Sequence, residues 1–199
     1  MVLAAVDPTE ADLLASAQEG NLFAFDAIVR RYPRRVYSTA LRIVRRHDLA
    51  DDVTQEAFLR AHRALASYDR GRPFGPWICR IAANLAINHV RSPEAREEEL
   101  DEAVIDRPSA GPGDGPLDAV LEQEARRVLE EAVGRLPAEQ RAVFVLRTFE
   151  ELSYKEIAET LDLSVGTVMS RLSRAREKLR VALAGYLGSA LDRAGDASR

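Results

Sequence analysis

Between Ser164 and Ala184 five basic side chains stand against one acidic residue, so this stretch is strongly positive in a chain whose net charge is −4. Apolar residues recur along it with alternating steps of three and four, the spacing of one helix face: Val165, Val168, Leu172, Ala175, Leu179 and Ala182. The opposite face and its flanks then carry Thr167, Ser170, Arg171, Ser173, Arg174, Lys178 and Arg180. Arginine binds guanine edges and hydroxyls reach bases or phosphates, so this face suits a DNA major groove.

The element that positions this face is a helix-turn-helix. Ser153 and Glu156 have the spacing of a capping box, and they precede a short helix with one apolar stripe, Tyr154, Ile157, Ala158 and Leu161. Asp162 tolerates a left-handed backbone, Leu163 fills the space between the helices, and Ser164 caps the second helix. An isolated basic helix is commonly a solvated surface helix, but the capped first helix and the turn favour DNA binding.

A second group of residues suits single-stranded nucleic acid. Arg70 and Arg72 lie in a turn-forming run, SYDRGRPFG, between Tyr68 and Phe74. Basic side chains interleaved with aromatic rings can hold unstacked bases. The helix that follows, from 76 to 90, presents Asn84 and Asn88 on one face, where they could touch the same strand. Trp77 stands four residues before Ile81, a spacing that favours a place in the core.

A third group is a candidate protein-docking surface. The predicted helix from 49 to 65 buries an apolar stripe and turns outward a mixed ridge of Asp52, Gln55, Glu56 and Leu59. The same spacing also fits a solvated face with i,i+4 ion pairs such as Glu56 with Arg60, and the pattern by itself leaves both interpretations open.

Composition predicts an all-helical chain of two small domains. The 199 residues are 46% hydrophobic, and strand-like alternation never extends beyond a few residues. Charge is segregated: residues 21–91 carry thirteen bases and six acids, whereas 92–118 carry two bases and nine acids with four prolines and three glycines. We therefore predict an N-terminal segment (1–20), a helical bundle (21–91), a flexible acidic linker (92–118), a helix-turn-helix domain (119–185) and a frayed tail (186–199).

Other classes of protein are disfavoured by the sequence. No apolar stretch is long enough to span a membrane, and the early Asp7 and Pro8 do not fit a signal peptide, so we expect a cytoplasmic protein. Cys79 is the lone cysteine and is expected to be a buried thiol. The sequence has no P-loop and no Ser/His/Asp set, and its three histidines are scattered. We accordingly predict no catalytic site, cofactor or metal.

Four ordered segments resemble regions two and four of the extracytoplasmic-function sigma factors of bacterial RNA polymerase. They are FDAIVRRYPRRVYSTALRIV, DLADDVTQEAFLRAHRAL, FGPWICRIAANLAINHVR and LPAEQRAVFVLRTFEELSYKEIAETLDLSVGTVMSRLSRAREKLR. The resemblance covers nearly all of residues 21 to 185. It implies a non-catalytic factor that binds core polymerase, opens the minus-ten promoter element with region two and recognises the minus-thirty-five element with region four.

The resemblance also implies roles for individual residues. Asp52, Gln55, Glu56 and Leu59 would contact the clamp helices of the largest polymerase subunit, and region four would contact the flap of the second-largest subunit. The loop from Tyr68 to Phe74, with Arg70 and Arg72, would capture a flipped base of the single-stranded non-template strand, and Asn84 and Asn88 would support strand separation. Ser170, Ser173 and Arg174 would contact bases of duplex DNA, while Thr167, Arg171 and Arg176 would contact phosphates, beside Lys178.

Three departures from the family and two rival classes complete the predictions. Met169 stands where the family usually has Lys or Arg, Ala83 replaces a frequent Arg, and the segment SPEAREEE stands where a basic cluster often follows region two. An anti-sigma protein that inhibits the factor until a stress or envelope signal arrives is a further expectation from the family. The alternatives are a helix-turn-helix regulator that is not a sigma factor, which would need a receiver or ligand domain, and an adaptor, which would not need Arg171, Arg174 and Lys178 facing outward.

Overall fold

A computed structural model of the protein describes residues 8–92 and 116–196. Across those ranges it contains nine α-helices, one short 3-10 helix and no β-strand, so the all-α prediction is confirmed. The helices are α1 (Glu10–Gln18), α2 (Leu22–Val29), α3 (Pro33–Val44), α4 (His47–Ala64), α5 (Phe74–Arg91), α6 (Pro116–Gly134), α7 (Ala138–Thr148), α8 (Tyr154–Leu161) and α9 (Val165–Asp196), with the 3-10 turn at Leu65–Ser67. None of the described helices is long and apolar enough to cross a membrane.

The first half of the protein, α1 to α5, is built around α3, α4 and α5. Small and β-branched residues line the buried faces, and the fully buried ones include Val36, Ala40, Ile43, Val53, Ala57, Ala61, Ile78 and Ala82. The many alanines let the helices approach closely, which is how a short chain builds a dense core. Cys79 lies in this core as a buried thiol, as predicted.

The boundaries of these helices follow from local chemistry. Pro33 is the first residue of α3, because its fixed φ suits a helix start and its missing N–H would be unpaired there anyway. Asp48, a residue type that commonly caps helices, does not cap α4. Arg46 is the N-cap residue and its side chain does not bond the backbone of the first turn; Asp48 lies in that turn with its carboxylate 2.6 Å from the Arg46 guanidinium. A carboxylate in that position is favourable because it faces the positive end of the helix.

The second half, α6 to α9, begins with a helix that ends at Gly134, just before Leu136 and Pro137. Helix α7 is apolar on several sides, and the turn after it leads into the helix-turn-helix of α8 and α9. On α9, Val168, Leu172, Ala175 and Leu179 are buried as predicted, whereas Val165 and Ala182 at the ends of the stripe are exposed. Helix α9 continues to Asp196, where the sequence led us to expect a tail.

The two halves pack against each other. Buried residues of both belong to one continuous hydrophobic cluster, and α3 and α5 of the first half contact α7 and α8 of the second. Most of the predicted linker, residues 93–115, lies outside the described residues, as do 1–7 and 197–199. The division into two domains with those boundaries remains a prediction.

Candidate nucleic-acid interface

The helix-turn-helix has the local geometry that its sequence predicts. The Ser153 hydroxyl accepts from the backbone N–H of Glu156 at 3.2 Å, and the Glu156 carboxylate accepts from the Ser153 N–H at 2.9 Å. The Glu156 carboxylate also accepts from the Ser153 hydroxyl at 2.8 Å, and these two bonds to the carboxylate, with a weaker attraction to Arg80, hold the pKa of Glu156 below its usual range. Asp162 closes α8 with a φ of 52°, in the left-handed region where Asp is tolerated. The Ser164 hydroxyl then accepts from the Thr167 N–H at 3.1 Å, which caps α9.

The outer face of α9 presents most of its predicted DNA contacts to solvent. We call this surface the reading face; its exposed members are Ser170, Ser173, Arg174, Arg176 and Lys178, with Thr167 half-buried beside them. The Thr167 hydroxyl lies 2.8 Å from that of Ser164, so part of its hydrogen-bonding capacity serves the helix cap. Met169 is also exposed there, at 53%, which places a thioether among hydroxyl and guanidinium groups.

Arg171 is the member of the predicted DNA set on α9 that the fold covers most. Its guanidinium lies 2.5 Å from a carboxylate oxygen of Glu139, and its side chain is only 18% exposed. The other oxygen of Glu139 lies 3.5 Å from Arg91, at the end of α5. Glu139 therefore joins α9, the recognition helix of the helix-turn-helix, to the first half of the protein. Arg171 must leave its ion pair with Glu139 before it can contact a phosphate.

The segment from Tyr68 to Phe74, here called the arginine loop, has an aromatic base and charged tips. Arg70 and Arg72 are exposed, and Arg72 lies 3.6 Å from Asp69. The Tyr68 hydroxyl donates to the carbonyl of Arg72, which ties the two ends of the loop together. Asp69 accepts from the N–H of Gly71 at 2.9 Å, a local bond that favours the turn. The two guanidinium groups are thus held on a compact turn.

The aromatic residues of the loop are not available to a DNA base in this arrangement. Phe74 is fully buried and Tyr68 is 5% exposed, so their predicted roles as direct DNA contacts are corrected to support of the loop. The Phe74 ring centroid lies 5.3 Å from those of Tyr32 and Trp77 and 5.6 Å from that of Tyr68. Burial is also the main cause of the raised pKa of Tyr68. Trp77 is half-buried in the same cluster, in line with the core position favoured by its spacing.

Two supports of the arginine loop were not recognised in the sequence. Gln18, at the end of α1, donates to the carbonyls of Leu65 at 2.9 Å and Tyr68 at 2.8 Å. The T-x-x-D spacing that caps α1 was the available signal for this helix. Gly75 is required for a different reason: a Cβ there would lie 2.6 Å from the Arg35 guanidinium and 2.9 Å from the Tyr32 ring.

Asn84 and Asn88 lie together on α5, but both are engaged within the protein. The Asn84 amide donates to the carbonyl of Thr160 in α8 at 3.1 Å, and Asn88 donates to the Asn84 side chain at 3.1 Å. Both side chains remain exposed, so the face predicted to support strand separation contacts the second half through Asn84 but stays at the surface. Ala83, the departure from the family pattern on the same helix, is fully buried.

The predicted docking ridge on α4 is brought together at the surface. Asp52 and Gln55 are exposed, Glu56 is half-buried, and Leu59 exposes 54% of its surface. The ion pair expected for the alternative interpretation, a solvated face, is also present, because Glu56 lies 2.7 Å from Arg60. That hydrogen bond lowers the pKa of Glu56. Single exposed apolar side chains are common on protein surfaces, so the ridge fits both interpretations.

Comparison with known proteins identifies the class. Residues 28–96 match the family model of sigma-70 region 2, and residues 126–179 match that of sigma-70 region 4. The sigma-E factor of Escherichia coli (strain K12) is 36% identical over 177 residues, covering 86% of this chain and 92% of that protein. SigW of Bacillus subtilis (strain 168) is 36% identical over 174 residues, covering 84% of this chain and 92% of SigW.

Solved structures agree with this assignment. CnrH, determined in complex with the cytosolic domain of CnrY, is 30% identical with a TM-score of 0.57, and the match covers 88% of this chain and 97% of CnrH. The sigma factor RpoE of Bartonella quintana, solved with the anti-sigma factor NepR, has the same fold at 24% identity, with a TM-score of 0.58 and coverage of 80% and 96%.

The chain belongs to the extracytoplasmic-function sigma factors. It is therefore a non-enzymatic, DNA-binding factor of transcription initiation, as the sequence predicts.

Proposed function

We propose that the protein binds core RNA polymerase through the docking ridge and directs it to promoters with two separate DNA-binding surfaces. The observation that carries the proposal is the exposed Leu59 among Asp52, Gln55 and Glu56. An apolar side chain within an acidic ridge suits a protein partner better than DNA, because carboxylates repel phosphates. The clamp helices of the largest subunit are the partner expected for this ridge, and the flap of the second-largest subunit is the partner expected for region four.

The reading face is proposed to recognise the minus-thirty-five element as duplex DNA. Its exposed hydroxyl and guanidinium groups project from α9, which packs against the capped helix α8. Helix-turn-helix proteins place a helix in the major groove with this arrangement. Arg174 is the best placed of them to bind a guanine edge, because it is exposed and lies opposite the buried stripe. Arg176 and Lys178 are assigned to phosphates, where their charge adds affinity without sequence preference.

The arginine loop is proposed to hold the single-stranded non-template strand of the minus-ten element. Arg70 and Arg72 supply attraction for phosphates, and the aromatic base keeps the turn in one conformation. The base itself would then be bound by the rim of the loop rather than by the buried rings of Tyr68 and Phe74. Unpairing a base costs a few kcal/mol, so a pre-melted template should bind better than a duplex.

An anti-sigma protein is proposed as the inhibitory partner, and an envelope or stress signal as the event that removes it. CnrH was solved in complex with the cytosolic domain of a second protein, which supports a protein partner for this chain as well. The alternative of a helix-turn-helix regulator outside the sigma factors is disfavoured, because both sigma regions match and the first half is helical and basic. We place the factor in the cytoplasm, where core polymerase and the promoter are found.

Run-off transcription tests the proposal. Core polymerase with this chain should initiate at defined sites, whereas core polymerase without it should not. Leu59→Arg should weaken co-purification of the chain with core polymerase, because it replaces the apolar centre of the ridge with a charge. Leu22→Arg is the matched control, since Leu22 is a similarly exposed leucine (65%) on α2 of the same half. Equal binding by both variants would contradict the assignment of the ridge.

A further inference from the structure

Two exposed apolar side chains stand side by side on the recognition helix, next to the reading face. Val165 exposes 43% of its surface and Met169 exposes 53%. They are four residues apart on α9, so they lie on one side of the helix in successive turns. We call this pair the apolar flank. Single exposed apolar side chains are common, whereas these two adjoin each other, and Val168 and Leu172 already form the buried stripe of the helix.

Polar and cationic groups surround the apolar flank. Met169 lines a surface groove together with Tyr154 of α8 and with Ser173 and Arg176 of its own helix. Ser170, its neighbour in the chain, is exposed as well. The thioether thus lies among the groups that are assigned above to bases and phosphates. Because the positive charge of this part of α9 attracts DNA, a DNA base is the expected contact of the flank.

Duplex DNA offers one apolar group that suits such a side chain. In the major groove each base pair presents hydrogen-bonding groups, and thymine adds its C5-methyl group. A lysine or arginine at position 169 would add attraction for phosphates, whereas methionine carries no charge and contributes mainly through apolar contact. Its unbranched chain and polarizable sulfur adapt to the shape of the surface that they meet. A thymine methyl group therefore fits the chemistry of the flank.

The position of the flank along α9 also suits contact with a base edge. Helix-turn-helix proteins contact bases with the N-terminal residues of the recognition helix, and the flank occupies the first and fifth residues of α9. Arg174, which is proposed above to bind a guanine edge, follows Met169 at a distance of about 7.5 Å along the helix axis. Successive base pairs are about 3.4 Å apart, so the thymine should lie within about two or three base pairs of that guanine.

We propose that Met169, with Val165 beside it, makes recognition of the minus-thirty-five element selective for thymine by contacting the C5-methyl group in the major groove. This inference rests on the proposed function, because it needs the reading face to enter duplex DNA. Burial of one methyl group against an apolar side chain changes affinity by about three- to fourfold. The cytosine derivative 5-methylcytosine presents the same methyl group in the major groove, so the flank should accept it as well.

Deoxyuridine tests the contact, because it pairs as thymine does and lacks only the methyl group. Core polymerase with this chain is bound to a duplex promoter defined by run-off transcription, and each thymine of the minus-thirty-five element, on either strand, is replaced by deoxyuridine in turn. At one position the replacement should weaken binding by about three- to fourfold. At that position a pair of 5-methylcytosine with guanine should bind more tightly than a pair of cytosine with guanine by the same factor.

Variants of Met169 assign the effect to its side chain. The difference between thymine and deoxyuridine should disappear in Met169→Gln, which has a polar end at similar length, and remain in Met169→Leu, which is still apolar. Val181→Gln is the matched control, because Val181 is an exposed apolar residue (61%) on the same helix. It lies about 18 Å from Met169 along the helix axis, so the difference should remain in this variant. Since Met169 and Val181 are both exposed, all three variants should unfold at the melting temperature of the wild type.

The outcomes separate this inference from the proposed function. If the wild type initiates at a defined site but no thymine of the minus-thirty-five element binds better than deoxyuridine, the thymine contact is wrong and the proposed function stands. A difference that persists in Met169→Gln, or that is also lost in Val181→Gln, would overturn the assignment to Met169. Failure to initiate at any defined site would instead contradict the proposed function, and the thymine contact with it.

Discussion

The sequence assigns DNA binding to the whole arginine loop, but the burial of Phe74 gives that residue a role in folding and leaves DNA binding to the arginines. Its ring is fully buried against Tyr32, Tyr68 and Trp77, whereas Arg70 and Arg72 are exposed on the same turn. We expect Phe74→Ala to act through folding and the double variant Arg70→Ala, Arg72→Ala to act through DNA. The two changes should therefore affect different measurements.

The magnitudes follow from burial. Removing a fully buried phenylalanine ring costs about 3–5 kcal/mol of unfolding free energy, because transfer energy and packing are both lost. For a chain of this size that corresponds to a fall of about 6–20 °C in melting temperature. The arginines should contribute within about 0.5 kcal/mol, since the ion pair of Arg72 with Asp69 is solvent-exposed on both sides.

Thermal unfolding by circular dichroism measures the first effect, and abortive transcription on matched duplex and mismatch-bubble templates measures the second. The arginine variant should lose initiation on the duplex, recover part of it on the bubble, and bind core polymerase normally. A Phe74→Ala protein as stable as the wild type would refute the burial argument. Normal initiation by the arginine variant on duplex DNA would refute the assignment of the loop.

Three further predictions concern the second half and the core thiol. Arg174→Ala should cost about 1–3 kcal/mol of binding and relax sequence preference, whereas Arg176→Ala should weaken all sequences alike and lower the salt slope by about one; fluorescence anisotropy on a promoter panel distinguishes them. The pKa of Glu156 is lower in the folded protein than the ordinary glutamate pKa. The ionised carboxylate therefore stabilises the folded protein at pH values above the ordinary glutamate pKa, and this stabilisation is lost as the pH falls through the pKa of the folded protein. Glu156→Gln should accordingly reduce stability to urea by about 0.3–1 kcal/mol at pH 7 and by less near pH 3, because only the charge of a partly exposed carboxylate in the first helical turn is lost. An equal loss at both pH values would exclude this carboxylate as the cause. Burial, with the nearby Glu150 charge, raises the pKa of Cys79 to about 12, so Ellman's reagent should label the native protein at least about a hundredfold more slowly than the protein in urea; similar rates would mean that the thiol is accessible.

The helix-turn-helix was determined by the sequence, because its signals are local. A capping box joins Ser153 to Glu156, three positions apart, and Asp162 adopts its left-handed conformation within a three-residue turn. The alternating spacing of Val168, Leu172 and Ala175 likewise fixes which face of α9 is buried. Interactions of this range depend little on the rest of the chain, so they can be inferred from residue type and spacing.

Tertiary structure alone decided which polar and aromatic side chains remain available. Phe74 stands in a turn rich in Gly and Pro, yet it is buried because α3 brings Tyr32 against it. Glu150 belongs to a polar run that looks solvated in the sequence, yet it is buried, and the side chains that donate hydrogen bonds to it lie more than a hundred residues earlier in the chain. Arg171 is paired because α7 carries Glu139 to the recognition helix. Each outcome depends on which helices meet, and residue spacing along one helix carries no information about the helix packed against it.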